Sequence, residues 1–380
     1  LGENSVATEN GKNSTLTNFF NLKQQAFMQL KIRGKTMKPL LCLTLIWTFC
    51  LVMLGAYVRL SDAGLGCPDW PGCYGQIGAP DEAHEIAQAS AQFGGEIEPA
   101  KGWKEMIHRY FAGGLGLLVL AISILLWKKR RALHLSRTMI LLPLVVILFQ
   151  ALLGMWTVTM KLMPVVVTSH LLGGMCLLAL LAWLATRVSI PVHFNRHLLP
   201  LLSISLAAIV LQIALGGWVS TNYAGLACNG FPTCQGSFTP VLDGITEAMQ
   251  PIRQLGHTAS GEALTISHLA TIHWLHRLGA LLVLITFSLA AWQLRQHSPK
   301  LAMMISAALL LQISLGIANV WLYLPLPLAV AHNGGAALLL MLCVSALAQV
   351  KPLKHIAQAP SPLTLSPNGS GRKVASSSQF

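Results

Sequence analysis

Charge is scarce in this sequence. Of 380 residues, 10% are Asp, Glu, Lys or Arg and 54% are hydrophobic, whereas a soluble domain carries about 25% charged residues. That supply cannot cover a water-facing surface, so most of the surrounding solvent must be lipid. Acidic residues are the rarer sign, 13 against 26 basic, and all but Glu3 and Glu9 lie between Asp62 and Glu262. The net charge of +13 does not point to nucleic acid. Its basic residues fall in short clusters between apolar runs, where membrane proteins carry their cytoplasmic anchors. Long period-two alternation is missing too, which excludes a spanning barrel. Residues 1–37 lack the apolar core of a secretory signal peptide.

What the sequence does have is apolar runs. A spanning helix needs roughly 20 mainly apolar residues. Eight stretches qualify: about 39–58, 107–127, 138–158, 165–187, 198–219, 267–293, 300–322 and 327–348. They predict an all-α polytopic membrane protein. Lys31, Arg33, Lys35 and Lys38 precede the first span; Lys128, Lys129, Arg130, Arg131 and Arg137 separate the second and third. Arg187 and Arg196, then Arg295 and Lys300, and finally Lys351 and Lys354 fall on that same side. The positive-inside rule makes it cytoplasmic, with both termini inside. The expected organisation is a cytoplasmic extension (1–37), a four-helix unit (38–190), a second four-helix unit (191–350) and a disordered cytoplasmic tail rich in Ser, Pro and Gly (351–380).

Internal repetition is the strongest signal. GAYVRLSDAGLGCPDWPGC (55–73) returns as GGWVSTNYAGLACNGFPTC (216–234), with Gly55, Gly64, Cys67 and Cys73 matching Gly216, Gly225, Cys228 and Cys234 at an offset of 161. EMIHRYFAGGLGLLVL (105–120) resembles HWLHRLGALLVL (273–284), FQALLG (149–154) resembles LQISLG (311–316), and SHLLGGMCLLALL (169–181) resembles AHNGGAALLLML (331–342). Four spans per repeat is an even number, so both copies enter the membrane in the same sense, as a parallel repeat.

Ionisable side chains inside spans are costly and usually functional. Four histidines recur in register: His108 and His170 in the first unit, His276 and His332 in the second. Spans two and four of an up-down bundle are diagonal and parallel, so each pair can meet across a bundle core. Two facing imidazoles suit six-coordinate haem iron; otherwise each histidine only cements helix packing. Gly113, Gly114, Gly173 and Gly174, and Gly279, Gly334 and Gly335, follow the pairs and allow close approach of a ring or a helix. Arg109 and Arg277 directly follow the first histidine of each pair. They could meet haem propionates or anchor to lipid headgroups. Glu105 lies three residues before His108, where the second unit has His273. A buried carboxylate there could exchange protons; an interfacial one would simply sit in water. His84, His134, His193, His197, His257, His297 and His355 read as loop residues, and His268 has no assigned role.

Cys42, Cys50, Cys176 and Cys343 lie in spans and read as small apolar residues. Cys67/Cys73 and Cys228/Cys234 form two outer-loop pairs, and an oxidising compartment favours disulfides there. Cys228/Cys234 reads as a structural staple, whereas Cys67/Cys73 is open between a staple and a redox-active pair.

In combination, VRLSDAGLGCPDWPGC, EMIHRYFAG, TSHLLGG, LHRLGALL and AHNGG resemble the haem A synthase family of cytochrome oxidase assembly, over about Thr44 to Ala348. The resemblance implies an oxidoreductase that converts a ring methyl of haem O to a formyl group by successive hydroxylations, giving haem A. It implies a haem b cofactor on His276 and His332, the haem O substrate between His108 and His170, Glu105 as the catalytic group, and Cys67/Cys73 as a pair linked to activity. Expected partners are haem O and the lipid bilayer, with haem O synthase and an electron acceptor as candidates and oligomerisation left open. The expected location is a bacterial inner membrane. Rival readings are a di-haem b-type electron carrier linked to quinone, a non-enzymatic haem-handling assembly factor, and a thiol oxidoreductase. The first leaves Glu105 and the loop cysteines idle, and the last leaves the histidines idle.

Overall fold

A computed structural model describes residues 37–131, 133, 135–190, 194–239 and 244–350. The tail, nearly all of the N-terminal extension, Lys31, Arg33, Lys35, Lys351, Lys354, His134, His193 and His355 lie outside the described residues. Among the described residues, eight helices are long and apolar enough to cross a membrane: α1 (Met37–Leu60), α3 (Pro99–Lys129), α4 (Arg137–Thr159), α5 (Pro164–Ser189), α6 (Leu199–Thr221), α7 (Ile266–Leu294), α8 (Pro299–Trp321) and α9 (Leu326–Ala348). A shorter helix, α2 (Ala83–Phe93), precedes α3.

Most ends fall within a few residues of those expected. The exception is α3, which begins at Pro99 rather than near 107. Proline at the first turn loses no hydrogen bond, because that N–H has no helical partner. The opening turns carry Lys101, Trp103 and Lys104, too polar for a hydropathy reading to include. At 31 residues α3 is about 46 Å long, well beyond an apolar slab of about 30 Å. Its first turns therefore stand outside the slab, under the first disulfide loop. Helix α7 opens on a capping box. Thr265 Oγ1 accepts from the His268 N–H, and His268 Nδ1 accepts from the Thr265 N–H at 3.0 Å, which gives His268 its role.

Helices α1 and α4 each pack on both α3 and α5, so α3 and α5 face one another across a ring of four. Helices α6 and α8 hold α7 and α9 in the same way, and α5 and α9 pack together between the rings. Positions that the repeat equates are buried alike: Leu41 and Leu202, Thr48 and Ile209, Leu115 and Val283, Leu126 and Leu294, Leu178 and Leu340. Lipid gives helices no hydrophobic drive to associate, so shape and polar ties must hold them together. One such tie joins the disulfide-bearing ends of α1 and α6. Arg59 donates to Tyr223 Oη at 3.0 Å and to the Ser220 carbonyl at 2.9 Å, and Tyr223 Oη donates to Asp62 Oδ1 at 2.9 Å.

Candidate functional site

Between the helices lies one cavity of about 2140 Å³. Single-ligand pockets run about 300–1,000 Å³, so there is room for two large planar ligands. His108, His170, His276 and His332 all line it, as do Glu105, His273, Arg109 and Arg277.

Each histidine lies against a glycine of a neighbouring helix. A Cβ built on Gly55 would stand 3.0 Å from His108 Cε1, and on Gly154 3.5 Å from His170 Cε1. In the second unit the distances are 3.1 Å from Gly216 to His276 and 3.0 Å from Gly316 to His332. These glycines give the imidazoles their space. The glycines that follow the histidines have another use: Gly173, Gly279 and Gly335 admit the side chains of Gln150, Gln212 and Gln312. Gln212 Nε2 donates to the His276 carbonyl at 3.0 Å and lies 3.1 Å from His276 Nδ1 and 3.3 Å from its Nε2. The glutamines went unnoticed in the sequence, although Gln150 and Gln312 sit within the matched FQALLG and LQISLG runs.

The ring centres of His276 and His332 are 6.4 Å apart, with planes at 74°. A metal–imidazole bond of about 2.0–2.1 Å on each side, plus about 1.1 Å from nitrogen to ring centre, sums to about 6.3 Å. The spacing therefore fits one metal ion between two axial imidazoles, and the rings are free to differ in rotation about that axis. Nδ1 of His108, His170 and His332 is buried without a hydrogen-bond partner. Buried polar atoms are nearly always satisfied, so these nitrogens fit a site that is completed by a bound group. Among the described residues no three His, Cys, Asp or Glu side chains gather so as to hold a metal ion by themselves. His276 and His332 could thus hold a metal whose other positions a macrocycle would fill, and His108 and His170 occupy the matching positions of the first unit.

Above the histidines the two units differ. Glu105, 6% exposed, accepts from the Cys67 N–H at 3.0 Å through Oε2 and pairs with Arg109 at 2.5 Å through Oε1. Its counterpart His273 takes the same position in the second unit, with Nδ1 accepting from the Cys228 N–H at 3.4 Å. One task, holding the first cysteine of an outer loop, is done by a carboxylate in one unit and an imidazole in the other. Arg109 also donates to the carbonyls of Asp69, Pro71 and Gly72, and Arg277 to those of Thr233, Cys228 and Gly230. Both guanidinium groups therefore clasp the loops while lining the cavity.

Both cysteine pairs form disulfides, Cys67–Cys73 and Cys228–Cys234, with Cα atoms 4.8 and 4.4 Å apart. Cys42, Cys50, Cys176 and Cys343 are free thiols.

Known proteins resemble this chain in sequence. Residues 38–344 match the COX15-CtaA family, described as cytochrome oxidase assembly protein. The chain is 48% identical over 316 residues to a protein of Shewanella oneidensis named haem A synthase, covering 80% of this chain and 94% of that one. It is 26% identical to a haem A synthase of Halalkalibacterium halodurans, over 65% of this chain and 83% of that one. With that of Allorhizobium ampelinum it shares 27% identity, over 78% and 86%.

Proposed function

The chain belongs to the COX15-CtaA family of cytochrome oxidase assembly proteins, and from that membership we propose that it is a haem A synthase, an oxidoreductase that turns a ring methyl of haem O into a formyl group. The observation that carries the reading is Glu105: two histidine pairs face the cavity, and among the described residues only the first has a carboxylate lining the cavity beside it.

In this reading His276 and His332 would hold haem b, and Gln212, bonded to the His276 carbonyl, holds that stretch of helix beside the site. When bound, haem b supplies a one-electron redox centre. His108 and His170 position haem O in the first unit, residues 38–190, while residues 191–350 form the cofactor unit. Glu105 receives protons at Oε1 or Oε2 as the methyl is oxidised. The ion pair with Arg109 and the Cys67 N–H hold the carboxylate at one place, which is what proton transfer needs. Arg109 and Arg277 fix the loops over the two pairs and remain candidates for propionate contacts, since both line the cavity. The electrons and the oxygen atom require an acceptor and a donor outside this chain, and haem O synthase is the natural source of substrate.

The bacterial sources of the relatives support a bacterial inner membrane, and the basic ends of the helices support an orientation with both termini cytoplasmic. Lys128 and Lys129 close α3, Arg187 lies in the last turn of α5, and both disulfides lie at the opposite end.

The test is expression in cells that make haem O but not haem A, followed by extraction and chromatography of the haems. Haem A is the expected product. A folded, haem-containing protein in cells without haem A overturns the reading.

A further inference from the structure

The two lobes of the cavity differ in depth as well as in chemistry. Counted from their histidines, α3 and α7 share a register, since Leu115/Val283, Val119/Phe287 and Leu126/Leu294 are buried alike. Gly154 and Gly316, each against a histidine, fix the register of α4 on α8. Three cavity-lining positions then differ in size. Gly113, Gly116 and Ala151 of the first unit stand where the second has Leu281, Leu284 and Ile313. A Cβ built on Gly113 or Gly116 meets nothing within 4 Å.

Beyond this point only the first lobe continues. Leu120, Leu144 and Leu148 line the cavity, whereas their counterparts Ser288, Ser306 and Leu310 do not. The wall of α3 runs from His108 to Leu120, about 18 Å at 1.5 Å per residue, and that of α7 from His276 to Leu284, about 12 Å. Leu120 is 45% and Leu148 68% exposed, so the extension reaches the lipid-facing side of α3 and α4; Leu281, 52% exposed, stands at the lipid-facing side of the shorter lobe. The head of the extension is the lobe where His108 Nδ1, His170 Nδ1 and Gln150 Nε2 are buried and unpartnered.

We propose that this cleft receives the long prenyl chain of haem O, and that Leu281, Leu284 and Ile313 close the other lobe to tail-bearing haems. The proposal rests on the haem A synthase reading. Haem O carries that chain where haem b has only a vinyl group, and the chain is as apolar as the acyl layer outside. A deep cleft beside one histidine pair and a shorter lobe, narrowed by Leu281, Leu284 and Ile313, beside the other sort the two ligands by this one difference. The substrate enters sideways from the bilayer, and its tail stays at acyl depth while the ring reaches the histidines.

The test titrates purified protein, with its resident haem in place, with haem O and with haem b, read by absorbance. The wild-type protein should bind haem O more tightly than haem b at the first site. Gly113→Leu combined with Gly116→Leu fills the cleft, and Leu148→Trp narrows it from an exposed position that folding tolerates. For haem O the Kd should rise about tenfold or more, since each methylene excluded from apolar contact forfeits affinity; for haem b it should change little. Retention of the resident haem reports folding. Equal weakening of both ligands, or no change in either variant, overturns the proposal. Conversely, Leu281→Gly with Leu284→Gly should let the second site retain haem O, and continued exclusion there counts against the gate. Wild-type protein that prefers haem O but forms no haem A overturns the synthase reading and leaves the cleft intact. Wild-type protein that forms haem A while the filled variants bind haem O normally overturns the cleft alone.

Discussion

The backbone N–H of Cys67 donates to Glu105 Oε2 at 3.0 Å, so the first disulfide loop and the helix bearing His108 meet at one carboxylate. Replacing that carboxylate separates its two tasks. Glu105→Gln keeps an acceptor for Cys67 but loses the charge, and Glu105→Ala loses both. Both should lower haem A formation by about a hundredfold or more, the scale of a lost proton-transfer group, with the haem on His276 and His332 retained. Product is read by chromatography and the resident haem by absorbance. Loss of all haem in both variants would make Glu105 a folding residue instead.

The histidine–glycine contacts predict unit-specific haem loss. A Cβ on Gly216 already stands 3.1 Å from His276, so Gly216→Val must push the imidazole aside. Overpacking of this kind costs about 1–3 kcal/mol. The variant should purify without its resident haem, while Gly55→Val should keep that haem and lose substrate binding. Equal haem content in the two variants would contradict the division of labour.

Removing Arg109 leaves a mostly buried carboxylate without its cation. Breaking a buried pair costs about 3–5 kcal/mol, and residual exposure of Arg109, at 13%, lowers the expectation to about 2–3 kcal/mol. Arg277 faces His273, which carries no such charge. Arg109→Ala should therefore lower the melting temperature in detergent more than Arg277→Ala does. Equal drops would mean that loop carbonyls, rather than Glu105, dominate both sites.

The two disulfides should be separable by function. Opening so short a loop costs ~2 kcal/mol of chain entropy, so Cys228→Ser with Cys234→Ser should melt lower yet still form haem A. Cys67→Ser with Cys73→Ser should lose a similar amount of stability and also lose turnover, because the Cys67 N–H supports Glu105. Comparable turnover in the two double variants would remove the special standing of the first loop.

Much of this was legible because the chain says it twice. The spans follow from apolar length, and the four histidines stand out because duplication placed them in register. What hydropathy could not reveal lies outside the apolar slab. Helix α2 begins at Glu82, an unusual N-cap, with Glu85 completing the box; Ser, Thr, Asp or Asn would have announced it. The polar first turns of α3 were invisible for the same reason. His273 could not be interpreted from its own helix, since its role is defined by the Cys228 N–H, 45 residues away in sequence. For the arginines, spacing left propionate contacts and lipid-headgroup anchoring open, and it carries no information about the loop carbonyls to which both donate.

The tie between the ends of α1 and α6 has a historical consequence. Arg59 and Ser220, and Asp62 and Tyr223, are each a position and its own counterpart 161 residues on. In an assembly of two identical chains, a residue meets its own copy only beside the rotation axis. The junction is the imprint of such an axis. Two identical halves with the first unit's residues would have set arginine against arginine and aspartate against aspartate there. Joining the halves in one chain let one member of each self-pair change alone, and repulsion at the axis became attraction.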